Sequence, residues 1–176
     1  MQPCELIDAY RFCPRCGKGA FAPQPDRKAL ECAGCGYQHF INPILAAAVL
    51  ISDAQGRLVL IRRRHEPSRG KLAFPGGFAN AGESAEATAR REVHEEINLQ
   101  LGPLRYLASY PNRYEYQGLL YPTVDVFFAA EAVSLASLRA VEEVDEILLV
   151  APREIAPEEL AFDSMRQALK CLQLIV

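Results

Sequence analysis

The sequence predicts an α/β fold carrying a small metal-bound module at its N-terminal end. Three observations predict it. Short apolar runs at Ile44–Ser52 and Leu58–Arg63 have the length and composition of buried strands. Two later segments, one ending near Leu99 and one spanning Pro157–Leu174, repeat apolar residues at three- and four-residue steps, the period of a helix. Ahead of both stand two Cys-x-x-Cys pairs, Cys13/Cys16 and Cys32/Cys35.

At 176 residues the chain has room for one ordinary domain plus a small module. Its 50% hydrophobic and 23% charged residues describe a soluble globular protein. No apolar run reaches 18 residues, so no membrane span is expected. The start, Met-Gln-Pro-Cys-Glu, lacks the basic-then-apolar order of a signal peptide, and a cytoplasmic location is expected. A net charge of −3 does not suggest a general nucleic-acid binder. An anionic substrate would need help from metal ions or clustered arginines.

Residues 1–12 read as a short lead-in. Residues 13–40 read as a ribbon whose four cysteines hold Zn²⁺, each pair being followed by a glycine (Gly17, Gly36) that permits a tight turn. Iron is the chemical rival, because it also accepts four thiolates. Two disulfides are the alternative, disfavoured in a reducing compartment. Cys4 and Cys171 read as ordinary thiols. A closed four-thiolate site leaves no open position for catalysis. Its expected role is structural, in support of a homodimer interface, or as a wall of a substrate pocket. The ribbon's cations are Arg11, Arg15, Lys18, Arg27 and Lys28, without an aromatic stacking array, so nucleic-acid binding is not expected of it.

The strand pair 44–52 and 58–63 is joined by a turn at Asp53-Ala-Gln-Gly56. Leu72-Ala-Phe-Pro-Gly-Gly leads into a helix with Ser84 as N-cap and Asn98 at its left-handed end. Ala89, Val93 and Ile97 form its buried stripe. Glu92, Glu95 and Glu96 stand beside that stripe at positions i, i+3 and i+4, on one helix face. Like charges so placed repel, which a structural helix has no use for. A helix that binds Mg²⁺ or Mn²⁺ does, since hard cations take several carboxylate oxygens. Arg91 stands four residues before Glu95 and can pair with it. Further strands are expected at Leu104–Tyr114, Tyr121–Ala130 and Glu142–Val150, and a final helix at Pro157–Leu174 through Leu160, Met165, Leu169 and Leu172.

From Gly77 to Leu99 the chain reads Gly, five residues, Glu83, seven residues, Arg91-Glu92, an apolar residue, any residue, Glu95-Glu96, any residue, Asn98 and an apolar residue. This pattern resembles the signature of the Nudix hydrolase family over all 23 positions. The one departure is Asn98, where the family usually has Gly. The resemblance implies an α/β/α sandwich with a mixed sheet, preceded here by the zinc ribbon (residues 1–40 and 41–176 as the two domains). It implies hydrolysis of the pyrophosphate in a nucleoside diphosphate linked to another moiety, with Mg²⁺ or Mn²⁺. It further implies Glu92 and Glu96 as metal ligands, Glu95 next, and the Gly77 carbonyl as a further ligand. Gly76 would let backbone approach the phosphates. Arg91 would orient Glu83, a positioning residue rather than a base. A later loop supplies another acid in this family, and Glu142, Glu143 and Glu146 are the candidates, Glu143 preferred.

Arg62 and Arg64, at the end of the second strand, read either as an exposed basic edge or as phosphate contacts. Tyr114 is a candidate for stacking on a base or ribose. A ribbon ahead of such a domain resembles NADH pyrophosphatases, but their Ser-Gln-Pro-Trp-Pro-Phe-Pro stretch is reduced here to Ser109-Tyr-Pro-Asn-Arg-Tyr114, with no Trp in the chain. FAD, ADP-ribose or another dinucleotide remains open. A catalytically silent ligand sensor and an RNA-cap-directed enzyme are the alternatives.

Overall fold

The computed structural model describes residues 3–19, 21–26, 28–141 and 143–173. Arg27, Glu142 and Leu174, named above, lie outside them. The chain forms two compact units, one of residues 1–43 with 113–122, the other of 44–112 with 123–176. The first unit thus extends past residue 40 and takes in the tip of a hairpin.

The first unit contains β1 (Cys4–Glu5), α1 (Leu6–Ala9), β2 (Phe21–Pro23), β3 (Ala29–Cys32) and β4 (Gln38–Phe40). Strands β2, β3 and β4 form an antiparallel sheet in that order. The lead-in is more than a leader, since Cys4 and Glu5 pair in parallel with Leu119 and Leu120 of the hairpin. The core here is small: Ile7, Cys13, Phe21, Leu30 and Cys32, with Tyr10, Tyr37 and Ile41 packed on it. So few apolar side chains do not by themselves order 43 residues, and a bound metal supplies the missing stabilisation in modules of this size.

The second unit is built on β5 (Ile44–Ser52), β6 (Leu58–Arg63), β7 (Leu72–Ala73), β8 (Gly76–Phe78), α2 (Ala85–Ile97), β9 (Arg105–Tyr116), β10 (Leu119–Glu131), β11 (Val144–Val150) and α3 (Asp163–Gln173). Its sheet runs β10-β5-β6-β11, with β9 beside β10. β10 and β5 are parallel, while β6 and β11 are antiparallel, so the sheet is mixed. β9 turns into β10 through Gln117 and Gly118, both at positive φ (50° and 76°), as a two-residue hairpin requires.

The free edge of β5 is shared. Its last residue, Ser52, pairs with Leu58 of β6, while Ala46, Ala47 and Ala48 pair with Phe78, Gly77 and Gly76 of β8. This arrangement brings the two glycines into the middle of the sheet. Side chains alternate across a strand, so register fixes the layers. The side of Gly77 on which a Cβ would stand meets Glu92 of α2, which puts α2 on the face of Ala47 and Val126. Ser164 of α3 donates to Asp125, whose register partner is Ala46, on the opposite face. One helix on each face gives the expected α/β/α sandwich. Val49, Leu50, Ile51, Leu60, Phe74, Phe127, Ile97 and Leu169 fill its core.

The last helix differs from expectation. Residues 157–162 are not helical: Pro157–Glu159 make a 3-10 turn and Leu160 forms a parallel bridge with Leu72. Leu160 is fully buried there, with the Ala161 N–H bonded to the Leu72 carbonyl at 2.8 Å. Its spacing from Met165 mimics a helical stripe, but sheet pairing captures it, and the helix begins at Asp163.

Candidate active site and metal centre

Helix α2 is fixed at both ends. Ser84 Oγ accepts from the Ala87 N–H at 3.2 Å, and Asn98 adopts the left-handed conformation (φ 53°), bonding the His94 carbonyl. Thr88, Ala89, Val93 and Ile97 are buried beneath it. The stripe sets the helix rotation, and the rotation aims the glutamates.

Glu92 and Glu96 flank the Gly76–Gly77 segment. Glu96 Oε2 accepts from the Gly76 N–H at 2.9 Å. A Cβ on Gly77 would stand 2.6 Å from the Glu92 carboxyl carbon, so glycine is what allows the close approach. Gly76 has φ +150°, and a Cβ there would stand 2.2 Å from the Ala47 carbonyl oxygen. Glu95 faces differently: its side chain is 57% exposed and its carboxylate takes Arg91 Nη1 at 2.9 Å.

Arg91 is the hub of the preceding loop. Its Nε and Nη2 hold both oxygens of Glu83 at 2.7 and 2.9 Å. Nη1 reaches Glu92 at 2.7 Å, and Nη2 the Phe78 carbonyl at 3.0 Å. Glu83 also accepts from the Asn80 N–H and the Thr88 hydroxyl. The Arg91 guanidinium and these donors bring the Glu83 carboxyl down to about 2.

The electrostatics of the other two carboxylates run the opposite way. Burial pushes Glu96 up to about 8, against the pull of the Gly76 N–H, and the negative Glu92 and Glu143 raise it further. Glu92 is also raised, by burial first, then by Glu95 and Glu143, against Arg91. Of the later-loop candidates, Glu143 is the one whose charge is felt by both carboxylates. Glu146 is engaged elsewhere, at 2.9 Å from Arg62 Nε. Carboxylates that burial and one another's charge keep from ionising fit Mg²⁺ or Mn²⁺, whose ligands are hard oxygens.

The arginines at 62–64 have different partners. Arg62 pairs with Glu146 and Arg64 with Asp145, both at the β6–β11 edge. Each side chain in these pairs is more than a third exposed, so the pairs are worth little in stability. They do draw Arg62 and Arg64 to that edge. Arg63, between them, alternates to the other face, where its charge lowers Glu96. It lies 5.2 Å over the Phe162 ring and donates Nε to the Pro67 carbonyl. The alternation of 62, 63 and 64 along a strand was the signal that would have found it. Tyr114 sits in the hairpin tip, which belongs to the first unit, while the glutamates belong to the second.

In the first unit the four cysteines converge: Cys13 and Cys35 Sγ lie 3.8 Å apart, Cys16 and Cys32 3.6 Å, and all four within 4.8 Å. A tetrahedral ion with Zn–S near 2.3 Å demands about 3.8 Å between sulfurs. The two knuckles are near-copies. Gly17 N–H bonds Cys13 O and Gly36 N–H bonds Cys32 O, both at 2.8 Å, with both glycines at positive φ. Among the described residues this is the one cluster of ligating side chains so close together.

The family model of the NUDIX domain matches residues 42–170. The chain belongs to the Nudix family. Among curated proteins, the NAD-capped RNA hydrolase NudC of Haemophilus influenzae (strain PittGG) is 31% identical over 109 residues, covering 60% of this chain and 40% of that protein. The NudC of Edwardsiella ictaluri is 32% identical over 111 residues, 63% of this chain and 42% of that one. The chain thus spans about two fifths of the length of these curated relatives. Among solved structures, a NUDIX hydrolase from Nitrosomonas europaea matches with a TM-score of 0.73 at 24% identity, over 92% of this chain and 89% of that one. That likeness shows the fold. Within the Nudix domain the matched span takes in α2, the two glycines, Arg63 and Glu143. No helix among the described residues is long and apolar enough to cross a membrane.

Proposed function

We propose that this chain hydrolyses the pyrophosphate bond of a nucleoside diphosphate linked to another moiety, releasing a nucleoside monophosphate. The observation that carries the reading is the flanking of Gly76–Gly77 by Glu92 and Glu96, two carboxylates held above their ordinary range with Glu143 facing them. Glu92 and Glu96, with the Gly77 carbonyl and Glu143, are the groups that would hold Mg²⁺ or Mn²⁺. Such an ion, when bound, lowers the pKa of water and neutralises phosphoryl charge.

The chain's own residues do the positioning. The bare backbone at Gly76 and Gly77 leaves room for a phosphate. Arg91 locks Glu83 and the 78–84 loop against α2, which fixes where Glu92 lies. Glu95, tied to Arg91, is a positioning residue more than a ligand. Arg63 joins Arg62 and Arg64 as a candidate for phosphate contact and is the one preferred, because its charge acts on Glu96. Tyr114 remains a candidate for base stacking. In the N-terminal module, Cys13, Cys16, Cys32 and Cys35 hold Zn²⁺ as a structural ion.

The substrate moiety is a dinucleotide such as ADP-ribose, FAD or NADH. The curated relatives are named for action on NAD-capped RNA, so a capped RNA joins the panel despite the net negative charge. The test is release, followed by chromatography, of AMP from ADP-ribose, NAD, NADH, FAD and diadenosine compounds, and of nicotinamide mononucleotide from an NAD-capped oligonucleotide, each with Mg²⁺ and with Mn²⁺. Turnover of at least one is expected. Silence across the panel would overturn the reading and leave a ligand sensor.

A further inference from the structure

Whole-chain charge hides a run of cations in the first unit, since residues 11–18 carry three cations and no acid. The segment Arg11-Phe12-Cys13-Pro14-Arg15-Cys16-Gly17-Lys18 is the first cysteine knuckle, and Arg11, Phe12, Arg15 and Lys18 are all exposed. None of the three cations makes an ion pair with a described residue. By contrast Glu5 pairs with Arg113, Asp26 with Lys28, and Glu31 is bonded by Gln24 and Gln38, so these three acids are engaged elsewhere. A divalent ion on four thiolates leaves two negative charges, which three cations more than offset. Lys18 lies with its stem across Gly34 of the second knuckle, which holds its charge close to the knuckle pair.

Three aromatic rings in this unit are also out in solvent, two of them phenylalanines and the third Tyr116 of the hairpin tip. Phe12 is 67% exposed and Phe40 57%. Phe40 lines a cavity of about 590 Å³ together with Leu6, Ile7, Ile41 and Pro122, and with the polar Glu5, Lys28 and Asn42. Glu5 is held by Arg113, which offsets its charge. That volume suits a flat ring of nucleobase size, with polar groups at hand to orient it.

We propose that the zinc-ribbon unit binds single-stranded RNA. Arg11, Arg15 and Lys18 contact phosphates, Phe12 stacks on a base, and the cavity at Phe40 receives another, with Asn42 offering hydrogen bonds to its edge. Cations tracking a backbone beside exposed rings are the features that hold a single strand without reading its sequence. This site goes beyond the hydrolytic centre and does not depend on it.

The experiment is equilibrium fluorescence anisotropy of the full chain, zinc-loaded and without Mg²⁺ or Mn²⁺, against a labelled ten-nucleotide oligoadenylate RNA across a salt series. Omitting those ions separates binding from hydrolysis, so a failed activity panel leaves this result standing. Wild type should bind, more weakly as salt rises. The triple variant Arg11→Ala/Arg15→Ala/Lys18→Ala should flatten the log–log salt slope by about 2, because three phosphate contacts on a single strand are lost. Phe12→Ala and Phe40→Ala should each weaken binding by about 5- to 150-fold with the slope unchanged. Zinc content and melting temperature of each variant exclude an unfolded ribbon as the cause. No binding by wild type at 50 mM salt, an unchanged slope in the triple variant, or equal binding of a polyglutamate peptide would each overturn the proposal. Unchanged binding by both phenylalanine variants would overturn its stacking part.

Discussion

The adjacent glycines of β8 should respond to alanine in opposite ways. At Gly77 the three atoms nearest the new Cβ all belong to the Glu92 carboxylate, at 2.6–2.7 Å, which is the far end of a flexible side chain. Ordinary contact begins near 3.4 Å, so the carboxylate must retreat by 3.4 − 2.6 = 0.8 Å. No backbone has to move, and Gly77 is not at positive φ. The stability change should stay within about 0.5 kcal/mol, as for substitutions that disturb no packed feature. A misplacement near 1 Å at a reacting centre nevertheless costs roughly 10²-fold in rate.

At Gly76 the new Cβ meets backbone: 2.2 Å from Ala47 O and 2.5 Å from Ala48 Cα, at φ +150°. Neither can give way without displacing β5 from β8. Overpacking costs about 1–3 kcal/mol and the strained backbone about as much again. Together these lower Tm by roughly 5–20 °C, at about 2–4 °C per kcal/mol for a chain of this size. The assay is paired: a thermal melt, and turnover of the best substrate with Mg²⁺. Gly77→Ala should melt like wild type and lose most of its activity, while Gly76→Ala should melt early. A Gly77→Ala protein that keeps full activity, or that melts as early as Gly76→Ala, would refute the assigned geometry.

Glu96→Gln should lower kcat by on the order of 10² or more, since the proposed metal ligand and the acceptor of the Gly76 N–H are changed together; steady-state kinetics checks it. Metal affinity should depend on pH. Glu96 holds its proton up to about 8, so Mg²⁺ must displace it, and apparent affinity should fall by up to about tenfold per pH unit below that value. Calorimetry in buffers of different ionisation enthalpy would count the released proton. In metal-free protein the sign for stability is set by the same group: its contribution is full below 4.5, the ordinary value, and is lost as pH rises through about 8. Arg91→Lys should destabilise by about 2–4 kcal/mol in denaturant melts, because one ammonium cannot hold Glu83 through two bonds while also reaching Phe78 and Glu92. Metal analysis should find about one zinc per chain, and its removal by a chelator should erase amide protection at Ala29–Cys32 while leaving β5 protected.

Much of this architecture was legible because local chemistry and tertiary demand agree. Ile44–Ser52 and Leu58–Arg63 are strands at the bounds their apolar runs suggested, and Ser84 and Asn98 cap α2 as their side chains prefer. The cysteine pairs announced their cluster through spacing alone. What stayed hidden depends on partners distant in sequence. Leu160 sits in a helical rhythm yet pairs with Leu72, 88 residues earlier by numbering (160 − 72), and no local pattern reports that bridge. Cys4 and Glu5 are strand residues only because the hairpin offers Leu119 and Leu120. The three arginines 62–64 look equivalent until β11 supplies Glu146 and Asp145 on one side and α2 supplies Glu96 on the other.

The same contrast explains how a helix can carry clustered glutamates. Arg91 engages Glu83, Glu92 and Glu95, so three of the four nearby carboxylates share one cation, and Glu83 titrates far below its ordinary range. Glu96 is left out of that arrangement. It has a single N–H donor and lies where burial opposes its charge. A fold optimised only for stability would place an apolar residue there, since removing a buried charge of this kind is commonly neutral or favourable. The retained cost falls on the one carboxylate that both faces Glu143 and touches the Gly76 backbone. It is therefore repaid only when a cation enters between them, which makes a gain in melting temperature on adding Mn²⁺, present in wild type and absent in Glu96→Gln, the observation that separates a working centre from an acidic helix.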